Sequence, residues 1–193
     1  MRNIKILSMI CIIIGNVLLG GCSFYKSTNH NSNNNESVNQ NGLSIFEYNE
    51  QFTNSYKKYI EPLYIEEFDN AEKFLKSQEL TSNTDYLDEY KNLLIICERH
   101  ISGFKKDMNN LVMQDLKLTD MNNDLVENSN ILIAEINSKI NALESIPSEK
   151  HSLDSESFID YIESNFQISE RITDKFENSI KSIKSYLNIE LNK

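Results

Sequence analysis

Between Leu43 and Lys193 apolar residues return every three or four positions, and no window alternates cleanly with polar ones. The first spacing is that of helices burying one face; strict alternation would mark half-buried strands. The most regular run is Leu87, Tyr90, Leu94, Cys97, Ile101, Phe104, Met108 and Leu111, with steps of three and four in turn. Such a heptad stripe keeps one seam of a helix against a neighbour. Asp85, Asp88 and Glu89 fall in its first turns, where acids suit the helix dipole, and Asn83 or Thr84 is placed to cap it.

The same register continues through Leu118, Leu125, Leu132, Ile136 and Leu143, but the alternate seam positions are now Asp115, Asn122 and Ser129. Polar residues there weaken a seam, and the stretch from Leu118 to Asp124 is rich in turn formers. A break near Thr119 to Asn123 is therefore expected, dividing the segment into two helices. A single rod of roughly 60 residues and 90 Å is the alternative.

An earlier helix is predicted over 43–78. Its apolar face is Ile45, Phe52, Tyr56, Tyr59, Leu63, Phe68 and Leu75, and Pro62 should kink or divide it. A last helix is predicted over 154–191, carried by Phe158, Ile162, Phe166, Ile172, Phe176, Ile180, Ile183 and Leu187. Pro147 ends the helix before it, and residues 148–155 make the connection. The expected fold is all-α: an elongated antiparallel up-down bundle of four helices, or else of three long ones.

The first 42 residues read differently. Arg2 and Lys5 precede an apolar stretch of 14 residues, Ile6 to Leu19, broken only by Ser8, Gly15 and Asn16. That is short for a membrane span and suits the core of a signal peptide. Leu19, Gly20, Gly21 and Cys22 follow. This order of charge, apolar core, small residues and cysteine resembles the signal of bacterial lipoproteins, over residues 1–22 only. The resemblance implies a diacylglyceryl group on the Cys22 thiol and cleavage between Gly21 and Cys22. Cys22 would then be the new N-terminus, on the extracytoplasmic face of the cell membrane. Two acyl chains give stable anchoring where one is marginal.

Residues 22–42 are expected to form a disordered tether, since Asn29 to Asn41 holds seven asparagines and little apolar surface. Twenty such residues span about 25 Å on average. The body, 43–193, follows as one helical domain.

Charge narrows the partners. The chain carries 19 basic and 29 acidic residues, a formal charge of −10. Loss of Arg2 and Lys5 with the signal leaves 17 basic residues, hence −12. So acidic a body has no footprint for phosphate backbones, which excludes nucleic acid as a partner. It is also repelled by anionic lipid, so lipid at Cys22 rather than charge would hold it at a bilayer. Cys11 leaves with the signal and Cys22 is acylated. Only Cys97 remains, so no disulfide forms within the body.

The residues supply no recognisable catalytic set. Asp120, Asn122 and Asp124 echo the start of a calcium loop, but Leu125 stands where glycine is needed and Ile131 where glutamate is needed. Cys97 and His100 lie one turn apart, yet zinc wants three or four ligands, and His151 falls in a distant loop. His30 sits in the tether. No Glu-x-x-His occurs, so a di-iron carboxylate site is excluded. Tyr48, Tyr56, Tyr59, Tyr64, Phe46, Phe52 and Phe68 make the first helix aromatic, a composition that fits core packing better than ligand stacking. Met108 belongs to the seam, with Met113 and Met121 expected at its edges. The reading is a membrane-anchored, non-catalytic helical module for a protein or cell-wall partner, with no cofactor and no metal. The alternative is a lipoprotein that binds a small ligand or metal between helices, near Cys97 or the polar seam.

Overall fold

The computed structural model describes residues 42–65 and 82–191. Within them the chain is helical and forms no strand; a single bridge pairs Leu43 with Met113. Helix α1 spans Ile45–Ser55, continues through a π-helical turn at Tyr56–Ile60, and passes into the short α2, Glu61–Ile65. Helix α3 spans Asn83–Asn109 and α4 Leu116–Leu143. A 3-10 turn at Ser148–Ser152 leads to α5, Ser155–Phe166, and α6, Glu170–Leu191. No described helix is long and apolar enough to cross a membrane.

Each start has a local cause. Ser44 and Glu47 form a reciprocal capping box at α1, satisfying two amides that have no helical partner. The seam of α3 is as the heptad spacing predicts: Tyr90, Leu94, Cys97, Ile101, Phe104 and Met108 are buried, with Leu87 and Leu111 packed at its edges. Its cap is Ser82, whose hydroxyl accepts from the Asp85 amide. Asn83, expected as a cap, instead donates through its side chain to the carbonyls of Leu153 at 2.7 Å and His151 at 3.2 Å. That ties the start of α3 to the connection before α5.

Three boundaries depart from the periodic reading. First, the break between α3 and α4 lies at 110–115, not at Thr119 to Asn123, which are inside α4. Asp115 ends the break as the N-cap of α4, its Oδ1 accepting from the Leu118 amide at 2.8 Å. An acid on the seam reads as a weak core position, but at a helix start it is a cap. The uninterrupted rod is excluded. Second, the predicted last helix is divided: Gln167 to Ser169 leave the helix, and Ile168 turns into the core. The six-residue step from Phe166 to Ile172 fits neither three nor four, and seven would be needed to keep one face. Third, the disturbance near Pro62 falls N-terminal to it. The Glu61 amide reaches back five residues to the Tyr56 carbonyl, the wide turn of a π-helix. Proline has no amide to close the regular ladder. Phe68, Leu75 and the rest of 66–81 lie outside the described residues.

One core joins the elements. α3 packs most extensively on α4, α4 on α6, and the π turn on α3. An aromatic chain crosses the interior from Tyr48 to Phe52, Phe104 and Phe176, with successive ring centroids 6.0, 5.9 and 6.4 Å apart. Gly103 lets the ring of Tyr59 rest against α3, because a Cβ there would occupy the ring's place.

Candidate functional site

The most distinctive surface lies where the N-terminal segment joins the body. The Leu43 amide donates to the Val112 carbonyl at 2.7 Å, and the Gln114 amide donates to the Leu43 carbonyl at 2.9 Å. This clamps the chain before α1 to the turn between α3 and α4. Gly42 is required there, since a Cβ would come within 2.5 Å of the Met113 carbonyl carbon. Met113 itself is buried rather than at an edge. The final turns of α6 reach the same place: the Tyr186 hydroxyl donates to Asp115 Oδ2 at 2.6 Å. Around this junction three large apolar side chains face solvent, Phe46 at 59%, Val112 at 56% and Leu116 at 55% exposure. Ile95 and Ile131, elsewhere on the body, are less exposed at 41% and 37%. The period that identifies buried faces carries no mark for these three, because they lie in a turn and in two first helical turns.

The polar seam positions are buried and bonded. Asn122 donates to the Met108 carbonyl at 3.1 Å and accepts from the Tyr48 hydroxyl at 2.9 Å, joining α1, α3 and α4. Ser129 returns its hydroxyl to the Leu125 carbonyl at 2.7 Å. Buried polar groups that find such partners rigidify a core instead of opening it. Asn122 and Ser129 therefore spend their polar groups within the protein. Burial also holds the Tyr48, Tyr86 and Tyr90 hydroxyls protonated well above the ordinary tyrosine range. The Tyr86 hydroxyl is buried and has no hydrogen-bond partner among the described residues.

The remaining candidates separate. Cys97 is a buried thiol in the core. His100 places Nδ1 2.8 Å from the Tyr59 carbonyl and its ring edge-on to Tyr59. His151 stacks near Phe158 in the 3-10 turn, so the histidines do not meet. Asp120 and Asp124 are exposed while Asn122 points inward, so the calcium-like triplet does not converge. Among the described residues no three His, Cys, Asp or Glu side chains group as a metal site. Tyr48 and Phe52 are core residues, Tyr56 and Tyr59 pack at its margin, and Phe46 is outside it. The side chain of Tyr64, like Gly21, Cys22 and His30, lies outside the described residues.

A groove of about 420 Å³ runs between α4 and α6, bordered by Asp124, Glu127 and Asn128 on one side and Lys175 and Ser179 on the other. It is open and of mixed lining, with Met121 and Ile131 beside the polar groups, unlike the enclosed apolar clefts that hold small molecules. Deeper in α6, Glu177 is almost fully covered. Desolvation pushes its carboxyl above the usual range, while Lys181 at 3.1 Å pulls the other way. No protein-family model matches the chain, and comparisons with curated proteins and with solved structures return no match.

Proposed function

We propose that this chain is a lipoprotein, acylated at Cys22, cut after Gly21 and held on the extracytoplasmic face of the cell membrane. Its helical body serves there as a non-catalytic interaction module. The observation that carries the proposal is the ordered series Arg2 and Lys5, the apolar run Ile6 to Leu19, and Leu19-Gly20-Gly21-Cys22. The partner is a protein or cell-wall component, and no cofactor is invoked. Support for a module comes from the body: its core is filled with aromatic and aliphatic side chains, and its polar seam residues bond internally. The finer architecture we infer is the antiparallel up-down bundle. It is supported by cross-helix pairs that reverse direction: Ser55 bonded to Asp107 and Tyr59 to His100 between α1 and α3, and Lys105 to Asn130 and Lys91 to Glu144 between α3 and α4.

Cross-linking of the protein in cells, followed by mass spectrometry, tests the module. One dominant partner, linked through a defined helix face, is the expected result. Recovery of no partner and no wall fragment overturns it. The groove between α4 and α6 favours a second reading, a polar ligand held by Asp124, Glu127 and Lys175. Ligand-induced shifts of the amide signals of those residues would support that reading over the first.

A further inference from the structure

Resting on the anchor reading, we infer that the end of the body bearing Phe46, Val112 and Leu116 docks on the bilayer that holds Cys22. Three observations meet there. The three side chains are the most exposed large apolar residues described, and they surround one junction. Leu43 is hydrogen-bonded to Val112 and Gln114, so the chain coming from Cys22 enters the described body at this junction. Only 19 residues, Ser23 to Asn41, separate the acylated position from Gly42.

Length and charge select the occupant. Even fully extended, a segment of that length reaches only about 70 Å, so the junction is the point at which the anchor holds the body to the bilayer. Anchoring makes contact with the bilayer an intramolecular event at an effective concentration of order mM, so a weak apolar contact suffices. Two of the carboxylates at the junction are hydrogen-bonded within the protein, while Glu50 and Asp120 lie exposed one turn beyond Phe46 and Leu116. Glu47 accepts from Ser44, and Asp115 accepts from the Leu118 amide and the Tyr186 hydroxyl. Lys106 closes α3 and Lys117 opens α4, its ammonium 4.7 Å from the Tyr186 ring centroid. The three apolar side chains are thus rimmed by charges of both signs, Lys106 and Lys117 with Glu47, Glu50 and Asp120, and a mixed rim around an apolar tip suits shallow entry into a zwitterionic headgroup boundary, by roughly 5–10 Å. The docked surface favours zwitterionic lipid, because the net charge of the whole chain opposes anionic lipid.

The test uses the full-length acylated protein in phosphatidylcholine vesicles. A single fluorophore is placed through Val112→Cys or, as control, Ile95→Cys, each in a Cys97→Ala background checked by circular dichroism. Spin-labelled lipid in the vesicle quenches probes that reach the boundary. Quenching at position 112 is expected to exceed that at 95 by about threefold or more, given the shallow depth of interfacial contacts. Adding Phe46→Ser with Leu116→Ser, both at exposed sites, should bring position 112 down toward the control. Protein that floats with the vesicles but is quenched equally at both positions overturns docking and leaves the anchor intact. Position 112 shielded by a second copy, seen as 112–112 cross-links without lipid quenching, overturns it too. Protein that does not float overturns the anchor reading and docking together.

Discussion

The seams of α3 and α4 run side by side and are built differently. Along α3 every seam position is apolar, from Tyr90 through Phe104 to Met108. Along α4 apolar residues share the seam with Asp115, Asn122 and Ser129, yet Leu118, Leu125 and Leu132 remain buried. The contrast separates two tasks. An apolar seam supplies burial without strong register, since neighbouring apolar residues substitute for one another at little cost. A buried amide bonded to two other helices is satisfied in one register only. Asn122, between Met108 and Tyr48, sets how α1, α3 and α4 meet.

Mutation along each seam sharpens that division. Phe104→Ala removes a fully buried ring that touches Phe52 and Phe176, and should lower stability by about 3–5 kcal/mol in urea unfolding. Asn122→Ala leaves the Tyr48 hydroxyl and Met108 carbonyl without their partner, at about 1–3 kcal/mol. A double-mutant cycle with Tyr48→Phe should then show coupling, and strict additivity would contradict the register role. Asp115→Ala removes the cap of α4 and the Tyr186 contact; about 1–2 kcal/mol is expected, with fraying of the first turn visible by amide exchange.

The smallest effect concerns pH. The Glu177 carboxyl is raised in the folded state, so the native protein holds this proton to a higher pH than the unfolded chain. Its contribution is present below the unfolded value, near 4.5, and is lost as pH rises through the folded value. Glu177→Gln should therefore flatten the stability profile just above pH 4.5. An unchanged slope there would mean that Lys181 offsets the burial in full.

The same contrast explains what could be read from the residues. The α3 seam was legible because every seam position obeys one rule. The α4 boundary was not, because Asp, Asn and Ser serve equally as turn formers, caps and buried hydrogen-bonding groups, and spacing cannot distinguish these roles. Asp115 proved a cap, Asn122 a buried tie and Ser129 a side chain bonded back to its own helix. The break at Gln167 to Ser169 is marked only by the six-residue step between Phe166 and Ile172, a single irregularity in an otherwise regular stripe. The exposed tip at Phe46, Val112 and Leu116 had no periodic signature. It emerges only when the backbone bonds of Leu43 bring distant segments together.

All functional inferences depend on Cys22, and one comparison tests it directly. Cells expressing the natural chain and Cys22→Ala are labelled with a radioactive fatty acid, then separated into membrane and soluble fractions. The natural chain should be labelled, shortened by its signal, and found with membranes; Cys22→Ala should be unlabelled and uncut between positions 21 and 22. A Cys22→Ala chain that is still labelled, shortened and membrane-bound would contradict the account.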